Sequence, residues 1–168
     1  GMVSTLGTSH ENTEKSLFSE SPPDLERGSE FFKEKKYYVG KVRAPLVNIP
    51  QQWGKYSCRN NALALTTYLQ LEAKVQECIS KFGAFRVGVV LGTSTSGIAS
   101  TEQGLRVYRQ TGAFPEEYDY SQHEMNSVSD FIAAYAGITG PTYTISTACS
   151  SSGKVFATGK ALLEMGLC

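Results

Sequence analysis

A helical pattern that runs directly into a short buried strand is the feature that most constrains how this chain can fold. Apolar residues recur at three- and four-residue steps through residues 64–82, and Asn60 or Asn61 is the candidate N-cap of that helix. Residues 85–91 then form an apolar, β-branched run, which is typical of a strand covered on both faces in a parallel sheet. This order of elements predicts an α/β fold.

The elements after that strand repeat the alternation of helices and strands. Residues 92–97 form a loop of small residues at the carboxyl end of the strand, and Ser100 with Gln103 resembles a capping box that opens the next helix. Residues 125–135 show another helical pattern, and residues 142–147 predict another strand.

The N-terminal part of the chain carries less information about function. Residues 9–43 are polar and charge-rich, and they predict short helices, exposed connections and one short strand near residues 37–42.

Composition excludes several classes of partner. Lysine plus arginine and aspartate plus glutamate number 16 each, so no net charge attracts nucleic acid or an anionic membrane surface. No apolar run approaches the roughly 20 residues of a membrane span, and the chain does not begin with a secretion signal, so we expect a cytoplasmic protein. The four cysteines form no C-x-x-C pair, which predicts reduced thiols and no metal site.

Cys149 lies in a run of small residues where a strand turns into a helix. A helix N-terminus offers unpaired N–H groups and the positive end of the helix dipole, which stabilise a thiolate. The same N–H groups can face the oxygen of an attacked thioester and form part of an oxyanion hole. We therefore predict that Cys149 is a nucleophile, with a small core residue as the alternative. The following helix, from Ser150 onward, is rich in small residues and is predicted to be central and buried.

The cysteine run carries a family resemblance. Thr-Ala-Cys-Ser-Ser-Ser at residues 147–152, preceded by Gly140-Pro141 and a Thr-Tyr-Thr-Ile-Ser strand, resembles the active-site signature of the β-ketoacyl synthases of fatty-acid and polyketide synthesis. The resemblance extends through residues 1–7, the strand and loop from residue 86, and the helix at 125–136. It implies the N-terminal half of a thiolase-like fold, a three-layer αβα arrangement around a mixed, mostly parallel sheet.

The resemblance also implies a reaction and a set of partners. In that family the cysteine takes an acyl group from coenzyme A or acyl carrier protein, and decarboxylation of a malonyl thioester supplies the carbanion that attacks the acyl-cysteine. The substrates travel on the phosphopantetheine of the carrier, and no further cofactor is expected. Thr95 and Met125 would lie near the acyl pocket, partly across a dimer interface, although turn chemistry and helix packing are alternative reasons for these two residues.

The family's second half supplies two histidines and a lysine, and we find no counterpart of it here. His10 and His123 stand in no matching motif. Residues 1–168 are therefore interpreted as one N-terminal domain truncated at both ends, inactive alone in condensation, with Gly1 either native or a remnant of a tag. We expect an apolar surface where the second half packs, and a homodimer in which the strand at 142–147 pairs with its copy.

The leading hypothesis is a 3-oxoacyl-ACP synthase of fatty-acid biosynthesis. Two alternatives stay open: a ketosynthase of a polyketide or aryl-polyene pathway, and a non-catalytic truncated subunit that acts as a dimerisation or interaction module. A cysteine peptidase is set aside because the sequence has no papain-like or caspase-like signature.

Overall fold

The computed structural model describes residues 1–21, 25–28 and 35–168. Its contacts divide the chain into two compact units, Gly1–Leu46 and Val47–Cys168. That residues 1–168 form a single domain stays a prediction.

Among the residues that the structure describes, the first unit contains one helix and one hairpin. Helix α1 spans His10–Leu17, and the Ser9 side chain caps it by accepting a hydrogen bond from the Asn12 N–H. Strands β1 (Glu26–Gly28) and β2 (Tyr37–Val39) pair antiparallel. The predicted short helix and the predicted strand near residue 37 are confirmed, and the parts of that prediction at 22–24 and 29–34 lie outside the described residues.

The second unit alternates helices and strands, as the α/β prediction requires. Its elements in chain order are α2 (Arg59–Tyr68), α3 (Glu72–Phe82), β3 (Val89–Gly92), α4 (Ile98–Thr111), α5 (Ser127–Ala136), β4 (Thr142–Ile145) and α6 (Ser151–Glu164). Strands β3 and β4 pair in parallel, with Val89 opposite Thr142 and Gly92 opposite Ile145. Both strands therefore end at the same edge, where loops carry polar residues.

Helices cover the two faces of this parallel pair. Val89 is buried in a core with Phe131 and Ile132 of α5. Its neighbour Val90 points to the opposite face, where it lines an open apolar groove with Leu163 of α6. The hydroxyl of Ser129 on α5 donates to the Tyr143 carbonyl oxygen at 2.8 Å, which fixes α5 against β4. The layering of helix, sheet and helix confirms the predicted fold class.

The long helix predicted for residues 64–82 is wrong, because the structure has two helices there. The Leu71 N–H bonds to the Tyr68 carbonyl oxygen at 2.7 Å, a tight closure that ends α2 before α3 begins. The change of direction lets Val75 and Ile79 of α3 pack against the same core as Leu65 of α2.

Two predicted helix caps are also wrong. Cys58 precedes α2, and Asn61 lies buried inside the helix, where its amide donates to the Tyr56 carbonyl oxygen at 2.9 Å and to the Ser127 hydroxyl at 3.1 Å. Helix α4 begins at Ile98 after Gly97 without a side-chain cap, so the Ser100–Gln103 capping box does not form.

Other element boundaries shift. The predicted strand at 85–91 begins only at Val89, because Ala84–Arg86 form a 3₁₀ turn. Helix α6 was expected to be central and buried, but only its Ser151 and Leu162 are buried in this chain. None of the helices among the described residues is both long enough and apolar enough to cross a lipid bilayer.

Candidate active site

Cys149 lies in a sharp turn between β4 and α6, which we call the cysteine turn (residues 147–151). Ala148–Ser150 form a single 3₁₀ turn, and the Cys149 side chain is exposed. Ala148 has a φ of 50°, in the left-handed region that residues with a Cβ rarely adopt. A backbone of this shape at a functional position is consistent with the presentation of a side chain to substrate.

Hydrogen bonds from serine hydroxyls hold the cysteine turn. Ser150 Oγ donates to the Thr147 carbonyl oxygen at 2.9 Å, and Ser151 Oγ donates to the Ala148 carbonyl oxygen at 2.8 Å. The Thr147 N–H donates back to Ser151 Oγ at 2.9 Å. The turn is thus fixed on both sides of Cys149 by side chains from its own sequence run.

The backbone at Cys149 suits attack on a thioester. The Ser150 N–H is the first N–H to donate a hydrogen bond within the 3₁₀ turn. The Cys149 N–H comes before it in the chain and so has no carbonyl partner within the turn or α6. An N–H at this position, with the positive end of α6 behind it, can stabilise both a thiolate and a developing oxyanion.

The loop after β3, which we call the β3–α4 loop (residues 93–97), lies beside the cysteine turn. A Cβ built on Gly92, the last residue of β3, would lie 3.1 Å from the carbonyl carbon of Ser151, so the two segments touch backbone to backbone. The Ser94 hydroxyl donates to the Ala148 carbonyl oxygen at 3.3 Å. Parallel pairing of β3 with β4 brings the two loops to the same sheet edge.

The same loop also reaches the segment before α5. The Ser96 hydroxyl donates to the Glu124 carbonyl oxygen at 2.6 Å. Thr95 therefore stands between one residue bonded to the cysteine turn and one bonded to the segment that carries Met125. The side chains of Thr95, Met125 and Cys149 are all exposed, so they face the open surface of the described chain. Hydrogen bonds from the Ser94 and Ser96 hydroxyls thus connect the segments that carry the three predicted residues, and the roles of these residues stay predictions.

Sequence reasoning assigned no role to Ser94, Ser96 or Ser151, although each makes a contact that shapes this site. The small-residue composition of the two loops was the available signal. It could not indicate which hydroxyl reaches which carbonyl, because the bonded partners of Ser94 and Ser96 lie 54 and 28 residues away in the sequence.

A second thiol lies beneath the β3–α4 loop. A Cβ on Gly97 would lie 3.0 Å from Cys58 Sγ, and Cys58 is buried. Burial raises the pKa of the Cys58 thiol above its ordinary value of 9.0, and hydrogen bonds from the Asn61 and Asn60 N–H groups offset this only in part. Cys58 is therefore held as a neutral thiol.

The two histidines lie outside the cysteine turn. His10 begins α1 in the first unit, and the His123 Nδ1 atom is 3.1 Å from the Thr101 hydroxyl. Because Thr101 lies on α4, this contact joins the His123 ring to that helix.

The surface of α6 is strongly apolar and open. Phe156, Leu163 and Met165 are 79%, 65% and 70% exposed. A groove of about 480 Å³ runs between α3, β3 and α6 and is lined by Cys78, Phe82, Arg86, Val87, Gly88, Val90, Gly159, Leu162, Leu163 and Cys168. The predicted exposed apolar surface is present.

Comparisons with known proteins agree with this geometry. The family described as "Beta-ketoacyl synthase, N-terminal domain" matches residues 65–168, more than half of the chain. A solved structure described as a ketosynthase (ApeO) in complex with its chain length factor (ApeC), from Xenorhabdus doucetiae, contains a chain that is 36% identical, with a TM-score of 0.89. The match covers 99% of this chain and 43% of that chain, so this chain spans less than half the length of the neighbour. No curated protein sequence matches the chain closely enough to count as a relative.

Proposed function

Since the chain belongs to the β-ketoacyl synthase family, we propose that Cys149 is the acyl-accepting nucleophile of a condensing acyltransferase. Its thiolate attacks the carbonyl carbon of an acyl thioester, and the Cys149 N–H faces the oxygen that becomes negative. The tetrahedral intermediate then releases the carrier thiol, which leaves an acyl group on Cys149 Sγ. A thioester suits this step because cysteine accepts the acyl group reversibly and is a good leaving group in the next step.

The observation that carries this proposal is the cysteine turn. Exposure of Cys149, the left-handed Ala148 beside it and the N-terminus of α6 behind it occur together at one turn. The alternative of a small core residue is disfavoured because the Cys149 side chain faces solvent.

Condensation is proposed only for a protein that also contains a second half. In the family that half decarboxylates the malonyl thioester, and the carbanion so formed attacks the carbonyl carbon of the acyl group on Cys149, forming a carbon–carbon bond and freeing the cysteine. This chain spans 43% of the length of the neighbouring ketosynthase chain. We therefore expect this chain alone to accept an acyl group and to release no condensation product.

Two substrate contacts and two partners belong to the proposal. Thr95 and Met125 would line the path of the acyl chain, which is supported by the bonds that join their neighbours Ser94 and Ser96 to the cysteine turn and to Glu124. Acyl carrier protein would deliver both the acyl and the malonyl thioester.

The pathway has two candidates. The first is fatty-acid biosynthesis, in which the protein would assemble as a homodimer. The structural neighbour is described as a ketosynthase that binds a chain length factor, which favours a polyketide or aryl-polyene pathway in which a different subunit completes the dimer. A non-catalytic interaction module is disfavoured by the intact and exposed cysteine.

The test is covalent labelling of the purified chain. The chain and its Cys149→Ala variant are incubated with cerulenin, and separately with octanoyl-coenzyme A, and adducts are located by intact-mass and peptide mass spectrometry. We expect one adduct, at Cys149, that the variant lacks. Equal labelling of all four cysteines, or none, would contradict an activated nucleophile at this position.

A further inference from the structure

The hydroxyl of Ser151 bonds to two backbone groups that precede Cys149, the Thr147 N–H and the Ala148 carbonyl oxygen. It accepts from the Thr147 N–H at 2.9 Å and donates to the Ala148 carbonyl oxygen at 2.8 Å. The Ser151 N–H bonds to the same carbonyl, and the Ser151 residue is only 4% exposed. The side chain therefore bridges the cysteine turn from its inner side, opposite the exposed thiol.

The turn needs such a bridge because Ala148 is held in the left-handed region, where its Cβ crowds the backbone. Relaxation of Ala148 to an ordinary conformation would rotate the peptide between it and Cys149. That rotation would move the Cys149 N–H and the thiol together. Loss of the Ser151 hydroxyl removes two of the bonds that oppose this rotation, those to the Thr147 N–H and the Ala148 carbonyl oxygen, and leaves the bonds that the Ser151 N–H and the Ser94 hydroxyl make to the same carbonyl.

Ser151 is itself fixed by the sheet. Gly92 at the end of β3 lies so close that a Cβ there would meet the Ser151 Cβ at 3.2 Å and its carbonyl oxygen at 3.2 Å. Ser150, in contrast, is exposed, although its hydroxyl also bonds to Thr147. Because Ser151 is buried, water has less access to its hydroxyl than to the hydroxyl of Ser150.

We propose that Ser151 is a positioning residue for Cys149. Its hydroxyl holds Ala148 in the left-handed conformation and so keeps the thiol and the Cys149 N–H aimed at the same thioester carbonyl. The inference rests on the proposed function of Cys149 as the acyl acceptor.

Three variants of the full chain test it: Ser151→Ala, the same change combined with Ala148→Gly, and Ser152→Ala as the control. Ser152 is the exposed serine next along α6. The measured quantities are the rate of Cys149 acylation by octanoyl-coenzyme A and the rates of alkylation of all four cysteines by iodoacetamide, each resolved by peptide mass spectrometry. Alkylation of the buried Cys58 would indicate loss of folding, and the alkylation rate of the exposed Cys78 measures the reactivity of the reagent.

We expect Ser151→Ala to slow Cys149 acylation about tenfold, the factor that corresponds to one typical hydrogen bond, with Cys58 still protected. Because glycine adopts positive φ without a Cβ clash, Ala148→Gly should restore most of that loss in the double variant. Ser152→Ala should match the wild-type chain.

Two results would overturn the proposal: a wild-type acylation rate in Ser151→Ala, or a loss that appears together with alkylation of Cys58 and is not restored by Ala148→Gly. Failure of the proposed function gives a different result, which is no acylation of wild-type Cys149 by the thioester. In that case iodoacetamide decides the positioning role, because its rate at Cys149 should still fall in Ser151→Ala and recover in the double variant. Equal alkylation rates would then refute the role.

Discussion

The Ser96 hydroxyl lies 2.6 Å from the Glu124 carbonyl oxygen, to which it donates a hydrogen bond, and this contact ties the β3–α4 loop to the segment that carries Met125. Two residues earlier, the Ser94 hydroxyl bonds to the Ala148 carbonyl oxygen. One short loop therefore connects the cysteine turn to the region where the acyl chain is proposed to bind.

Removal of the Ser96 hydroxyl should destabilise this connection. Ser96→Ala removes this donor from a partly buried contact, while the Ser127 N–H still donates to the Glu124 carbonyl oxygen at 3.1 Å, so we expect a cost of about 0.5–1.5 kcal/mol in the free energy of unfolding. Ser96 has a φ of 47°. Ser96→Gly should therefore lower the free energy of unfolding by less than Ser96→Ala, because glycine adopts a positive φ without a steric clash. Urea unfolding of both variants measures the difference. A larger cost for Ser96→Gly than for Ser96→Ala would show that the backbone at this position is not under strain.

Gly97 should tolerate no side chain. A Cβ there would lie 2.2 Å from the Gln122 carbonyl oxygen, to which the Gly97 N–H donates, and 3.0 Å from Cys58 Sγ. We expect Gly97→Ala to lower the free energy of unfolding by more than about 3 kcal/mol or to prevent folding, as measured by urea unfolding.

Gly153 on α6 supplies the control for Gly97, since a Cβ there would meet nothing within 4 Å. Gly153→Ala should raise the free energy of unfolding by up to about 1 kcal/mol through helix propensity. Similar losses in the two alanine variants would contradict the steric argument.

The position of Cys149 could be predicted from sequence because its signal is local. A strand-like run, small residues and a helix-like run follow one another without a gap, and the structure places an exposed cysteine between β4 and α6. The break between α2 and α3 had no such signal, because Leu69 and Leu71 continue the apolar spacing and no glycine or proline interrupts it. The contact of Ser96 with Glu124 depends on tertiary folding and has no signature at either position.

The exposure of α6 shows a different limit of sequence reasoning. Its small and apolar residues predict a buried helix, but periodicity indicates which residues suit a core and not whether another segment covers them. In this chain Phe156 is 79% exposed.

The open α6 surface should cause self-association. Phe156, Leu163 and Met165 form an exposed apolar set on and just after one helix, and contiguous apolar surface of this kind favours association in water. We expect the apparent mass in sedimentation velocity to rise with protein concentration. The double variant Phe156→Ser with Leu163→Ser should weaken that rise, whereas the exposed control Lys154→Ser should not. An unchanged concentration dependence in the double variant would mean that association uses another surface.

The hairpin of the first unit should weaken in acid. The Glu26 carboxylate accepts a hydrogen bond from the Arg43 guanidinium at 2.8 Å and pairs with Lys41 Nζ at 3.0 Å. The hydrogen bonds from Lys41 and Arg43 lower the pKa of Glu26 below its ordinary value of 4.5. Because the pKa of Glu26 is lower in the folded chain than in the unfolded chain, the stabilisation of the hairpin by Glu26 is fully present above pH 4.5. It is lost as the pH falls through the pKa of Glu26 in the folded chain.

Amide hydrogen exchange in β1 and β2, corrected for the intrinsic pH dependence, should therefore accelerate below pH 4.5 in the wild-type chain. Glu26→Gln should show the faster exchange already at neutral pH and lose the acid step, whereas Glu20→Gln should behave as wild type. If the acid step survives in Glu26→Gln, another carboxylate is responsible.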